Sequence, residues 1–181
     1  MIRTRQIVSL CCLLLFPVLV MASGNSLLIP ATGRCVLNVP PEDLSEALNT
    51  CQALAVAGDD QAQFELGEYF YTGQYTQQDL QQALHWYEQA SLAGHAEAQR
   101  RLGTMFFKGE GVPASNIQAF IVLKMSAVNG SEEALDGADE VAEQMSKEEL
   151  AVATQILGHI FRNYLLELQT MDGDSPFAPL P

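Results

Sequence analysis

The chain has 181 residues, 48% of them hydrophobic, with 9 Lys and Arg against 22 Asp and Glu and a formal net charge of −13. That length and apolar content suit one domain with a real core, which excludes disorder for the bulk of the chain. The acidity excludes a nucleic-acid binder, because phosphate contacts need clustered Lys and Arg, and it disfavours docking onto an anionic membrane surface.

From the N-terminus, Arg3 and Arg5 precede an almost unbroken apolar run from Ile7 to Val20, and Val20-Met21-Ala22 supplies small residues where a signal peptidase cuts. Residues 1–22 therefore read as a secretory signal, which places the mature chain in the periplasm or outside the cell. A retained anchor is the competing reading, but the run is shorter than the ~20 residues a spanning helix needs, and Pro17 interrupts it. No stable membrane insertion is expected after cleavage. Lipid attachment is disfavoured because Cys11 and Cys12 lie inside the run and follow Leu10. Losing the two arginines takes the charge to −15 and leaves Cys35 and Cys51 as the remaining cysteines. Two cysteines in an exported chain predict one disulfide, here in an N-terminal loop over residues 23–40. A closed loop of about 15 residues is worth roughly 3 kcal/mol in the chain-entropy model. A metal site or a reactive thiol would need companion ligands or a partnered His, and the sequence displays neither.

Residues 41–145 repeat. Displacing the sequence by 36 residues pairs Gly58, Ala62, Gln63, Leu66, Gly67, Phe70, Gly73, Gln82 and Ala83 with identical residues from Gly94 to Ala119, nine identities in 36. Unrelated sequence would give roughly two. The register extends upstream through Asp43-Leu44 and Ala47-Leu48, and fades downstream, where Leu102 maps to Ala138 and Gly103 to Asp139. A period in the thirties with helical texture predicts a helix-turn-helix solenoid whose units bury their apolar faces only against neighbours. Ala62, Leu66, Tyr69 and Phe70 share one helical face, as do Ala98, Leu102, Met105 and Phe106. Gly67 and Gly103 fall mid-helix, where glycine costs about 1 kcal/mol, so a close helix approach is expected there. Gly73 and Gly109 end the first helix of each unit; Gly94 and Gly130 end the second.

These residues resemble a known family. Leu66–Tyr75 (LGEYFYTGQY) with Leu80–Gly94 (LQQALHWYEQASLAG), and Leu102–Pro113 (LGTMFFKGEGVP), are similar to Sel1-like repeats, relatives of the tetratricopeptide repeat. The Leu-Gly pair, the Gly-x-Gly-Val turn at Gly109–Val112, the Ala-x-x-Trp-Tyr of Ala83–Tyr87 and the closing Gly94 carry the resemblance. It implies an all-α fold: a short right-handed α-solenoid of helix-turn-helix repeats. The first unit departs from the pattern with Gln74-Tyr75 in the turn. The second has Val122-Leu123 in place of Trp86-Tyr87, which predicts packing against something other than a standard neighbour.

Ser146-x-x-Glu149 is a capping box opening a long amphipathic helix over 146–169, with Leu150, Ala153, Leu157, Ile160, Phe161, Tyr164 and Leu168 as its stripe. This helix is expected to cap the solenoid, and its apolar cluster of Leu165, Leu166 and Leu168 to be buried against preceding helices, a partner site being the alternative. Residues 170–181 hold three prolines and read as a disordered tail.

The search for chemistry finds little. His85, His95 and His159 form no metal-binding spacing, and neither Gly-x-Ser-x-Gly nor Ser-x-x-Lys occurs. The acids Glu132, Glu133, Asp136, Asp139, Glu140 and Glu143 are dispersed around a helix as a solvated face. No cofactor, metal or catalytic residue is expected. Trp86 and Tyr87 read as core. If the first helices line a concave surface, Glu65, Glu68 and Tyr71 in one unit and Arg101, Thr104 and Phe107 in the next are the candidate contacts. Glu65 and Arg101 occupy equivalent places, so an ordinary pair across adjacent helices is the competing reading. The resemblance implies a non-enzymatic envelope scaffold or regulator that holds a protein partner in polysaccharide export, motor or sensor kinase machinery. The alternative is a cell-wall or β-lactam hydrolase or small-molecule binder. Some cysteine-rich relatives are described in those terms, but their additional cysteine pairs have no counterpart here.

Overall fold

The structure, a computed structural model, describes residues 34–171. The expected signal segment and residues 172–181 of the expected tail lie outside them. The described residues form seven helices and no strand: α1 (Leu44–Val56), α2 (Asp60–Thr72), α3 (Leu80–Leu92), α4 (Ala96–Lys108), α5 (Asn116–Val128), α6 (Glu132–Glu143) and α7 (Lys147–Met171). Helices α1, α3 and α5 start at 44, 80 and 116, and α2, α4 and α6 at 60, 96 and 132, so the offset seen in the sequence is also the period of the architecture.

The same hydrogen bonds close each junction. The N–H groups of Asp59, His95 and Ser131 donate to the carbonyls of Leu54, Ala90 and Ser126 at 3.1, 3.0 and 3.1 Å. Those of Asp79 and Ser115 donate to Phe70 and Phe106 at 3.0 and 2.8 Å. Gly73 must adopt φ 63°, and a Cβ there would lie 2.8 Å from the Gln78 nitrogen, so only glycine allows this turn. Side chains start the helices. Asp59 accepts from the Ala62 N–H, Asp79 from Gln81 and Gln82, and Ser115 from Gln118. His95 takes the capping place of Asp59 one repeat later, its Nδ1 accepting from the Ala98 N–H at 3.1 Å.

The core comes from the shared faces. Ala62, Leu66, Ala83, Tyr87, Ala90 and Ala98 are fully buried. Gly67 and Gly103 are the close approaches: a Cβ on Gly67 would stand 2.5 Å from the Tyr87 ring, and one on Gly103 would stand 2.7 Å from Leu123 Cγ. Leu123 thus occupies the Tyr87 place in the second unit, and it also faces Gly137 of α6. The smaller side chain therefore keeps the same contact with α4, while the expected non-standard neighbour of the second unit is α7, a helix outside the repeat register that packs on α5. Of that pair, Tyr87 is core, whereas Trp86 is half-buried against the α1–α2 cluster.

The array stops at α6. Asp139 stands where Gly67 and Gly103 stand in the earlier first helices, it is exposed, and Lys124 Nζ lies 2.9 Å from its Oδ1. A turn of three residues, Gln144–Ser146, then leads into α7, which lies along α5. Ser146 Oγ accepts from the Glu149 N–H at 3.1 Å, and Glu149 Oε2 from the Ser146 N–H at 2.9 Å, completing the capping box. Ala153 and Leu157 are buried on α5, with Ile160 and Phe161 packed beside them. Tyr164, Leu165 and Leu166 are 57%, 50% and 57% exposed, contrary to the expected burial of Leu165 and Leu166; the Leu168 side chain lies outside the described residues. The reason is length: α7 has 25 residues and overshoots its 13-residue support. No described helix is long and apolar enough to cross a membrane.

Candidate functional site

Helix α2 begins at the Asp59 cap and is held to α3 by the Gly67–Tyr87 contact, which fixes the azimuth of Glu65, Glu68 and Tyr71. Helix α4 carries Arg101, Thr104 and Phe107 at the equivalent positions. The structure brings three of these six together. Tyr87 Oη donates to Glu68 Oε1 at 2.6 Å, and Arg101 Nη2 donates to Glu68 Oε2 at 3.0 Å. Arg101 Nε also lies 2.7 Å from Glu68 Oε1, close enough for ion pairing but at an angle that makes no hydrogen bond. The guanidinium sits over the Tyr71 ring, 5.9 Å from its centre, and Tyr71 Oη donates to Glu110 Oε2 at 2.8 Å. The expected pairing across adjacent helices therefore exists one turn away from the expected partner, with Glu68 in place of Glu65.

The network is partly desolvated, and its tyrosines record this. Burial pushes the Tyr87 hydroxyl far above its ordinary value, reinforced by its bond to the negative Glu68 carboxylate. Burial also raises Tyr71, with the hydrogen bond to Glu110 next in size. On the same helix as Arg101, Arg100 binds Glu97 through a tight ion pair one turn back; that hydrogen bonding holds Glu97 below the usual carboxylate range and raises Arg100.

The other candidates lie elsewhere. Thr104 Oγ1 donates to the Arg100 carbonyl at 3.0 Å, and Phe107 packs against the α5 core cluster, so neither joins the network. Glu65 accepts from Gln61 Nε2 at 2.9 Å, and it borders an open groove of about 510 Å³. Three chain segments form this groove: Leu37 and Asn38 before α1, the face of α2 from Phe64 to Thr72, and Gln74-Tyr75 of the following turn. Cys35 is bonded to Cys51, which pins the first of these segments to α1. Among the repeat residues, Leu66, Gly67, Ala83, Leu102 and Gly103 lie buried between helices, while Gly73, Gly94 and Gly109 take the positive-φ turn positions. Among the described residues no group of three or more His, Cys, Asp or Glu side chains is placed to hold a metal ion.

Sequence reasoning missed Glu110, the hydroxyl role of Tyr87, and the part played by Leu37 and Asn38. Glu110 lies between two turn glycines, where no periodicity marks a side chain. Tyr87 gives the signal of a core aromatic, and its hydroxyl finds Glu68 only in three dimensions.

The Sel1 repeat family matches residues 60–95 and 96–127. The matched spans run from the start of α2 to the C-terminal end of α5. Two solved structures are similar in fold. One is a protective antigen present in uropathogenic Escherichia coli strains and displaying an SLR fold, with 22% identity and a TM-score of 0.64 over 78% of this chain and 32% of that one. The other is a Sel1 repeat protein from Oxalobacter formigenes, with 30% identity and a TM-score of 0.53 over 55% of this chain and 29% of that one. The chain thus spans about a third of the length of either. No curated protein matches it. Two consecutive segments of the chain thus match the Sel1 repeat, within an all-α helical-repeat fold.

Proposed function

We propose that this protein is an exported, non-catalytic scaffold of the cell envelope that binds a protein partner along the α2–α4 face. Sel1 repeats are generally protein-interaction modules, which supports the class; the envelope setting rests on the signal-like residues 1–22 and on a disulfide, a bond suited to an oxidising compartment. The observation that carries the reading is the Glu68–Arg101–Tyr71–Tyr87 network beside an open groove. Side chains fixed before a partner arrives lose little conformational entropy on binding.

The test is photo-crosslinking in intact cells, with a photoreactive amino acid placed at Thr72 on the α2 face or at Gln89 on the far side of α3. Discrete protein adducts from Thr72 that are absent from Gln89 are expected. Adducts from Gln89 alone, or from neither position, would refute the proposed face. Fractionation and N-terminal sequencing test the rest: the mature chain should begin near Ser23 and leave the cell with the periplasmic fraction or the medium. Turnover of muropeptides or β-lactams by the purified protein would overturn the non-catalytic assignment.

A further inference from the structure

The groove beside Glu65 has an uncompensated charge. Glu68 is satisfied from within by Arg101 and Tyr87, but Glu65 pairs with no cation among the described residues. Its one recorded bond, from Gln61, leaves most of the acceptor capacity of the carboxylate free. The groove is lined by aromatic rings from Phe64, Tyr69 and Tyr75, by Leu37, and by no Lys or Arg. An anionic ligand is disfavoured there by Glu65 and by the net charge of −13. A purely apolar ligand would strip water from a carboxylate without replacing its interactions. A Lys or Arg side chain meets both demands, since its aliphatic stem packs on rings and its cationic head reaches a carboxylate. The space, about 510 Å³, exceeds one such side chain, and the amide groups of Asn38 and Gln74 at its edges suit the polar backbone of an extended peptide.

Resting on the scaffold reading above, we propose that the groove binds a Lys or Arg side chain presented by an extended segment of the partner protein, and that the Cys35–Cys51 disulfide is required because it holds one side of the groove. Residues 34–43 form no helix, so Leu37 and Asn38 keep their place through the disulfide and through burial of Leu37, which is 6% exposed. Breaking the bond frees that side while the hydrogen bonds that join the repeats are untouched.

The probes are blocked heptapeptides of sequence Gly-Leu-Ala-X-Ala-Leu-Gly, with X as Lys, Arg, norleucine or Glu, and free spermidine, titrated into the full-length oxidised protein and followed by amide chemical shifts in NMR spectra. The Lys and Arg peptides should saturably shift the amides of Leu37, Asn38, Glu65 and Tyr75. The norleucine and Glu peptides should bind at least about tenfold more weakly. Glu65→Gln should weaken the Lys peptide by about three- to fivefold, the loss of one partly exposed ion pair. Reduction should weaken it by about tenfold or more while far-ultraviolet circular dichroism stays helical. Should the reduced protein unfold, Tyr75→Ala in the oxidised protein replaces it and should weaken binding severalfold. The proposal is overturned if norleucine binds as well as Lys, if Glu65→Gln changes nothing, if spermidine shifts the same amides as tightly as the peptide, or if the reduced, helical protein binds normally. Adducts from Thr72 in cells without selectivity for the basic peptides would defeat this proposal and leave the scaffold reading standing.

Discussion

Gly67→Ala is the sharpest test of how the repeats are held together. In an exposed helix this change stabilises by about 1 kcal/mol, because alanine has the better helix propensity. Here the new methyl would lie 2.5 Å from Cδ1 and Cε1 of Tyr87, inside any allowed contact, and 3.2 Å from its Cγ. The ring cannot swing aside freely: Tyr87 is fully buried and its hydroxyl is bound to Glu68 at 2.6 Å. Overpacking of this kind typically costs about 1–3 kcal/mol, and a lost hydrogen bond to a charged group about 1.5–3. Against a gain of about 1 kcal/mol, net destabilisation of roughly 1.5–5 kcal/mol is expected. Gly103→Ala meets Leu123 at 2.7 and 3.0 Å, a more adaptable side chain, and should cost less. Gly158→Ala meets nothing within 4 Å and should stabilise. Urea unfolding of the three variants should therefore rank Gly67→Ala lowest, then Gly103→Ala, then the parent, then Gly158→Ala. Adding Tyr87→Leu to Gly67→Ala reproduces the second unit's side chain and should recover part of the loss. If Gly67→Ala is as stable as Gly158→Ala, the close approach does not limit packing and the reasoning fails.

Three further outcomes are expected. The Tyr87 hydroxyl is held protonated in the folded state far above its ordinary value near 10, so above about pH 10 the unfolded chain loses a proton that the folded chain keeps; stability should fall by up to about 1.4 kcal/mol per pH unit, and Tyr87→Phe should flatten that slope in urea titrations across alkaline pH. Reducing Cys35–Cys51 should lower unfolding stability by roughly 3 kcal/mol, and an unchanged urea midpoint under reductant would deny the disulfide a stabilising role. Gln99→Leu breaks bonds to the Ser91 carbonyl at 3.0 Å and from Asn129 at 2.8 Å, and should cost about 1–3 kcal/mol; Gln63→Leu should cost less, because Gln63 Oε1 is buried without a partner, and equal losses would contradict this reading of the glutamines.

What was legible in the sequence depends on how locally it is encoded. Leu66, Gly67, Gly73 and Ala83 recur at a fixed offset because each does the same job in each unit, so period, helices and turns follow from identity alone. The capping box at Ser146 and Glu149 was legible for the same reason, both of its bonds closing within four residues. The site was less so. Arg101 reaches Glu68 and not the position equivalent to its own, a displacement of one helical turn set by how α4 sits against α2. Phe107 looked available on its helix but is taken up by α5, which the period does not specify. Gln63 and Gln99 appear in the sequence only as one of the repeat identities, and nothing local marks them as buried residues that tie each first helix to the helix before it through equivalent carbonyls, those of Ala55 and Ser91. The overhang of α7 escapes periodicity altogether, because its stripe continues past the end of the surface it packs on.

The end of the array follows from three substitutions at repeat positions acting in one direction. At the place of Gln63 and Gln99, α6 has Leu135, which is 47% exposed and cannot donate to the preceding helix. At the capping place of Asp59 and His95 it has Ser131, whose hydroxyl is buried without a partner. At the place of Gly67 and Gly103 it has Asp139, whose side chain fills the space a following helix would need. With close approach barred on α6, the apolar stripe of α7 finds its complement on α5, and the three-residue turn at Gln144–Ser146 is too short for the seven-residue path that joins α2 to α3. Restoring glycine at 139 alone would therefore not add a unit, since the turn still fixes where α7 enters. The surface proposed above for a partner has the same boundary: it runs from the disulfide-pinned segment across α2 and α4 and ends where α6 turns acidic, with Glu133, Asp136 and Glu140 exposed.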